Sequence, residues 1–274
     1  MAMIVLMQGG TESAMAQQVL IPLTQYVMMA HTLMMHINKN LFGKNSATKF
    51  HVLTEEAKRL IRTILKQLYF FHRNGQCPEK FTESNVFVTS SGRAKLIGVK
   101  LGDKNDTMVF QNYQDAHRII VETVFQKRWK EIPADMMHLL RLMRSRATAI
   151  RMGYVICTHA SLVPLENREP FFMKINILQA LPYDLDWYNK LQGNDLLEEL
   201  FSSNKGGYGN GSTEFLRFYR NATVHDMDHY YKRRYTPNEF QLILAVTYPL
   251  LLPRMQEELE KEKHLRILRL DSLL

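Results

Sequence analysis

The sequence predicts a mainly α-helical protein interrupted by one small β hairpin. Three observations carry that expectation. Apolar residues recur at three- and four-residue spacing through much of the chain, the period of a helix with one buried face. One pair of short β-branched runs is joined by a serine-glycine turn, the signature of a hairpin. With 274 residues, 46% hydrophobic and 23% charged, the chain can bury one large core or two small ones.

The clearest element is a helix over 53–71. Thr54 suits its N-cap, Glu55 and Glu56 suit the positive end of its dipole, and Leu60, Ile61, Ile64, Leu65 and Leu68 form its apolar stripe. Asn74-Gly75 ends it. Two β-like runs follow at 86–89 and 94–99, joined by Ser90-Ser91-Gly92. Helical patterns return over 115–125, 134–144 and 172–181, the last broken by Pro182. The stretch 202–212 holds Gly206, Gly207, Gly209 and Gly211 and reads as a loop. Two more helices are expected over 213–226 and 238–248.

A formal charge of +8 favours polyanionic partners, nucleic acid above all. The two cysteines, Cys77 and Cys157, lie far apart without a CxxC pair, which argues against a zinc knuckle or a disulfide scaffold and fits a reducing compartment. No run approaches the roughly 18 apolar residues of a membrane span. The apolar stretch 3–7 is short for a signal segment and lacks basic residues before it. A cytoplasmic or nuclear protein is the expectation.

The order helix, loop, hairpin, helix, with the helix closing on Leu68-Tyr69-Phe70-Phe71-His72, resembles the C-lobe of a protein kinase. The family's catalytic loop reads H-R-D-x-x-x-x-N, its Asp acting as base and its Asn holding a metal ion. Asn85 fits that Asn, which places Lys80, after Pro78 and Glu79, where the base belongs. The family's D-F-G falls on Gly98-Val99-Lys100, after Lys95-Leu96-Ile97, so the metal-binding Asp is replaced by Gly98. Asp115, opening the next helix, resembles a structural Asp of the family. Phosphoryl transfer needs carboxylates to hold Mg²⁺ and to take the hydroxyl proton, and lysine and glycine supply neither. There is no G-x-G-x-x-G loop or V-A-I-K strand, and little chain precedes the long helix for an N-lobe. The resemblance therefore implies a kinase-like lobe over 1–171 without kinase chemistry, lacking most of the N-lobe and needing no cofactor or metal.

Downstream, Phe215-Leu216-Arg217-Phe218-Tyr219-Arg220-Asn221-Ala222-Thr223-Val224-His225 resembles the motif L-L-R-x-x-R-N-x-x-x-H of the kinase-extension nuclease (KEN) family. That domain follows the kinase lobe in ribonuclease L and in the inositol-requiring stress sensor of the endoplasmic reticulum. Asp186-Trp187, Tyr208 with Gly211-Ser212, and Tyr248-Pro249-Leu250-Leu251-Leu252 match further landmarks in the same order. The resemblance implies an all-helical KEN-type domain over 172–274. It implies a metal-independent endoribonuclease that attacks through the 2′-OH and leaves a 2′,3′-cyclic phosphate, acting on RNA as a homodimer or higher self-association. The physical requirements match the residues. RNA cleavage of this kind needs proton transfer at the 2′-OH and the leaving oxygen, and a cation at the phosphate. On a helix Asn221 and His225 are i and i+4 on one face, and Arg220 lies about 100° round the axis. A histidine, the residue type at 225, can give or take a proton at physiological pH, Arg220 can bind a phosphate in bidentate fashion, and Asn221 can orient either. The resemblance implies that Tyr208 assists the histidine.

This chain departs from the family in three places. Ala222, Thr223 and Val224 stand where basic residues are common. The interval from Tyr208 to Arg220 is one residue shorter, and the segment after His225 is shorter too, though Lys232-Arg233-Arg234 keeps it basic. Taken alone, each residue also has a plainer role. His225 reads as a surface imidazole balanced by Asp226 and Asp228, Arg220 as the partner of Glu214 or a neighbouring carboxylate, and Tyr208 as a loop cap. His225 and His229 share an i, i+4 spacing that invites a metal reading, but no third ligand or base completes it. A non-catalytic pseudokinase or RNA-binding scaffold is the alternative function.

Overall fold

A computed structural model describes residues 19–30, 33–37, 50–176, 194–203, 207–209, 211–224 and 236–274. The protein is mainly helical with a small antiparallel sheet. In chain order, β1 (Leu20–Pro22) runs into α1 (Leu23–Met29), and β2 (Met34–Ile37) pairs with β3 (Phe50–Leu53). Next come α2 (Glu55–Arg73), β4 (Gln76–Pro78), β5 (Val86–Thr89), β6 (Ala94–Leu96), β7 (Leu101–Asp103) and α3 (Asp106–Arg118). The rest is helical: α4 (Ala134–Arg144), α5 (Arg146–Arg151), α6 (Gly153–Cys157), α7 (Arg168–Asn176), α8 (Asp195–Ser203), α9 (Ser212–Val224), α10 (Pro237–Thr247) and α11 (Leu251–Lys261). Among the described residues no helix is long and apolar enough to cross a membrane. Two compact units result, one drawing its described residues from 1–34, 53–132 and 140–157, the other from 35–52, 133–139 and 158–274.

Helix α2 organises the first unit. Thr54 accepts a hydrogen bond from the Ala57 N–H at 3.1 Å, and His72 and Arg73 sit in the last turn, where a positive charge suits the dipole. Leu60, Ile61, Ile64, Leu65 and Leu68 are fully buried, which fixes the face turned to the core. The opposite edge of that face does unusual work. Thr63 accepts from the Ala94 N–H at 2.8 Å, while Gln67 donates to the Ala94 carbonyl at 2.7 Å and accepts from the Leu96 N–H at 3.0 Å. Two helix side chains thus satisfy the free edge of β6, which would otherwise expose unpaired backbone groups.

The hairpin forms as the sequence predicts, with Val86 opposite Leu96 and Val88 opposite Ala94, and Gly92 at φ +74° in the turn. Its second strand ends at Leu96 rather than reaching 99. Strand β1 adds a third, pairing Ile21 with Val88. A separate pair joins β4 to β7, Cys77 opposite Gly102, closing the loop from 79 to 100 at its base.

The helix expected over 115–125 begins at Asp106 instead, because Asn105 caps it by accepting from the Met108 N–H at 2.9 Å. Asp115 therefore lies in its last turn and does not open it. Beyond Arg118 the helix widens into a π turn over Ile119–Val124, which lets the adjacent residues Ile119, Ile120 and Val121 all stay buried. Helix α4 spans the predicted residues.

In the second unit, α7 runs from Arg168 to Asn176; the rest of the expected helix to 181 lies outside the described residues. Helix α9 begins at Ser212 and is described to Val224. Helix α8 takes Ser202 and Ser203, which the sequence assigns to the loop. Helix α10 opens on a capping box, Thr236 accepting from the Glu239 N–H at 3.2 Å and Glu239 accepting from the Thr236 N–H at 2.7 Å. Aromatic packing holds α7 to α9 and the end of α10, through Phe172 on Tyr219 (4.5 Å between ring centroids) and Phe215 on Tyr248 (4.7 Å).

Candidate functional site

The features singled out in sequence fall in two places, one in each unit. In the first unit, Asn85 closes a short 3₁₀ turn over Glu83–Asn85. Its Oδ1 accepts from the Thr82 N–H at 3.0 Å, and its Nδ2 donates to the carbonyls of Ile97 at 3.2 Å and Gly98 at 3.5 Å. Asn85 thus meets Gly98, but its amide is committed to backbone. Gly98 sits at φ +69°, the left-handed region that disfavours a side chain. Lys80 is exposed, and Lys100 pairs with Glu79 at 2.8 Å. Under this loop, Asn112 donates to the Pro78 carbonyl at 2.7 Å, so its Oδ1 accepts from His72 Nε2 at 3.0 Å. Burial lowers the pKa of His72, so this imidazole acts as a neutral strut. Asp115 is buried, with one carboxylate oxygen bonded to Gln111 at 3.1 Å and Arg118 at 3.3 Å.

In the second unit, α9 carries the other set. The alternation of its burial explains the local choice of residues. Phe215, Leu216, Phe218, Tyr219, Ala222 and Thr223 are buried, whereas Arg217 and Arg220 are exposed and Asn221 is half-buried. Positions 222 and 223 therefore belong to the core and have no outlet for a basic side chain. Thr223 turns its hydroxyl back to the Arg220 carbonyl at 2.9 Å.

Tyr208 approaches this helix from the preceding loop. Its ring lies against Phe201 (5.4 Å between centroids) and meets Phe218 edge-on (5.5 Å). Its hydroxyl accepts a hydrogen bond from Asn221 Nδ2 at 3.1 Å. Two of the four predicted site residues, distant in sequence, are thereby in direct contact. Arg220 points to solvent, and among the described residues no carboxylate pairs with it. The predicted alternative, an Arg220–Glu214 pair, is replaced by Arg217–Glu214 at 3.2 Å, the i, i+3 neighbour. His225 follows directly after the last described residue of α9 and lies outside the described residues. So do Asp226, Asp228, His229, Lys232-Arg233-Arg234 and Asp186-Trp187.

Arg217 is the residue that sequence reasoning passed over. Its guanidinium covers the Tyr208 ring at 4.9 Å from the centroid, and its Nη2 donates to the Gly207 carbonyl at 2.6 Å. Glu214, besides pairing with Arg217, accepts from the Gly209 N–H at 3.4 Å. These two residues pin the glycine-rich loop to α9 and so hold Tyr208 beside Asn221. The signal was the Glu214, Arg217 spacing on a face that also carries Asn221.

Among the described residues, no three His, Cys, Asp or Glu side chains come together to hold a metal ion. Chemically, the α9 surface offers an exposed guanidinium for a phosphate beside a phenol and a carboxamide already joined. No protein-family model matches the chain, and no curated protein matches it.

Proposed function

We propose that the chain is a metal-independent endoribonuclease working from α9, attached to a kinase-like lobe that has lost phosphoryl transfer. The observation that carries this reading is the hydrogen bond between Asn221 and Tyr208 at 3.1 Å, beside an exposed Arg220 and one helical turn in sequence before His225. A contact between Tyr208 and Asn221, two groups that the KEN resemblance names from separate segments, supports the reading.

The chemistry assigns each group a part. Arg220 binds the scissile phosphate and offsets the charge that grows on it. His225 moves the proton between the 2′-OH and the leaving 5′-oxygen, and Tyr208 supplies the second proton-carrying group. Asn221 aligns Tyr208. The 2′-oxygen attacks phosphorus as the P–O5′ bond breaks, leaving a 2′,3′-cyclic phosphate and a 5′-hydroxyl. In the lobe, Gly98 has no carboxylate and Asn85 spends its amide on backbone, which supports the absence of a metal-nucleotide site.

A second reading, a non-catalytic RNA-binding scaffold, draws on the same contact. Tyr208 is packed by Phe201, Phe218 and Arg217, so its bond to Asn221 also serves as a structural tie. Incubating structured RNA with the protein in EDTA, beside His225→Ala, separates the two. The nuclease reading expects cleavage with cyclic-phosphate ends by the native protein alone. Equal survival of the RNA with both proteins at high concentration overturns it.

A further inference from the structure

The segment that follows α3 combines strain, charge and an exposed aromatic ring. After the π turn, Gln126 (φ 49°) and Lys127 (φ 60°) are consecutive left-handed residues, neither of them glycine. They are held there by backbone bonds, Phe125 N–H to Ile120 O, Lys127 N–H to Val121 O and Arg128 N–H to Phe125 O, each 2.9 Å. The turn is therefore a fixed feature of the first unit, and its product is the placement of Trp129.

Trp129 is 46% exposed although it is one of only two tryptophans in the chain. Its inner side lies on His117, 6.3 Å between ring centroids and tilted by 38°. Burial lowers the pKa of His117, the Arg144 guanidinium lowers it further and Glu122 opposes them, so the ring beneath the indole is neutral. Lys127 and Lys130 lie two residues before and one after Trp129 in sequence, and both are exposed. Arg128 is drawn aside to Glu131 at 3.2 Å. A half-open indole backed by a second ring, with two exposed lysines close to it in sequence, has the components of a nucleobase platform: a π face for a base and cations for phosphates.

We infer that Trp129, Lys127 and Lys130 form a docking site for single-stranded RNA on the first unit, separate from the groups on α9. The choice of RNA over other polyanions rests on the function proposed above. An anionic membrane fits less well, because Phe125 and Ile132 are buried and Trp129 is the one large apolar side chain exposed across 126–132. The site binds without sequence preference, since every base has a face to stack, and it weakens steeply with salt. Its role is to hold RNA on the first unit, so its loss is read in KM and not in kcat.

The test uses full-length His225→Ala protein labelled with 5-fluorotryptophan. The two tryptophans give two fluorine resonances, and Trp129→Phe identifies one. Titration with oligouridylate is expected to shift the Trp129 resonance in a saturable way. Trp129→Ala should weaken binding about 10-fold, and Lys127→Ala with Lys130→Ala should lower the salt slope by about 1.4. In protein retaining His225, Trp129→Ala should raise KM about 10-fold with kcat unchanged. An unmoved Trp129 resonance, or affinity and KM unaltered in Trp129→Ala, overturns the inference even if cleavage persists. So does a resonance that responds to phosphatidylserine vesicles and not to RNA. Saturable RNA binding at Trp129 without any cleavage supports the site and removes the nuclease reading instead.

Discussion

The loop around Asn85 and the surface of α9 carry comparable polar groups and use them oppositely. At Asn85 every amide atom is turned to the backbone, a lysine stands exposed at position 80, and Gly98 occupies a conformation hostile to a side chain. On α9 the backbone is satisfied by the helix itself, so Arg220 remains at the surface and Asn221 is free to hold Tyr208. Polar residues consumed by architecture stabilise a fold. Those a fold leaves over, beside a cation and a titratable group, are available for chemistry.

The largest effects are expected from removing groups on α9. Arg220→Ala is expected to lower kcat/KM for RNA cleavage by about 100-fold, with Arg220→Lys recovering part of the loss. A change below threefold would place the phosphate contact elsewhere. Because Arg220 is exposed, its melting temperature should stay within a degree or two.

Tyr208→Phe comes next. It deletes the hydroxyl that joins Asn221 while keeping the ring between Phe201 and Phe218. Cleavage should fall about 10-fold in kcat with KM little altered, and stability by about 1 kcal/mol. A loss confined to stability would make Tyr208 a structural tie and favour the scaffold reading.

In the first unit the expected effects concern stability. Gly98→Asp, which supplies the missing carboxylate, should cost about 1 to 2 kcal/mol because φ is +69°, and should confer no ATP-dependent stabilisation. A rise of several degrees in melting temperature with millimolar Mg-ATP, in native or variant protein, would show that the loop still builds a nucleotide site.

The smallest effect is one of pH. Burial lowers the pKa of His72, His117 and His159 below the usual 6.5, furthest for His159, where neighbouring His138 and Arg168 add to it. As pH falls below 6.5 the unfolded chain takes up protons that the folded chain resists. Stability is therefore complete above that value and declines toward each lowered one. His159 sits in a directional chain. Its Nδ1 accepts from the Ser161 N–H at 3.2 Å, so its Nε2 donates to His138 Nδ1 at 3.0 Å, and His138 Nε2 donates to Glu257 at 3.0 Å. Glu260, whose carboxyl burial raises, opposes the decline from the acid side. Melting temperature measured from about pH 7.5 to about pH 5 should fall by several degrees, and His159→Gln should flatten the curve. A native protein with a flat profile would contradict neutral burial.

Much of the helical frame was legible because periodicity and capping act locally. Thr54 with Glu55 and Glu56 announced α2, and Ser90-Ser91-Gly92 announced the hairpin. The start of α3 was missed because the periodicity is stronger from Asp115 onward, whereas the Asn105 cap ahead of Met108, Val109 and Phe110 sets the earlier start. Strands β4 and β7 were invisible, being three residues each and fixed by partners distant in sequence, such as Asn112 on the Pro78 carbonyl. On α9, the sequence marked Tyr208, Arg220, Asn221 and His225. The pairing of Glu214 with Arg217 was also within its reach, because i, i+3 residues share a helix face and the i, i+6 pair Glu214 and Arg220 does not. The stacking of Arg217 on Tyr208 depends on the path of the glycine-rich loop, which no local pattern encodes.

The proposed function requires α9 to cleave RNA through the substrate's own 2′-OH without metal. It is tested most directly by comparing one hairpin oligonucleotide as RNA and as its all-2′-deoxy counterpart, in EDTA, with product ends read by mass spectrometry. The account predicts that only the RNA is cut, that its fragments carry 2′,3′-cyclic phosphate and 5′-hydroxyl ends, and that His225→Ala abolishes them. Cleavage of both strands, or RNA fragments bearing 5′-phosphate ends, would contradict it.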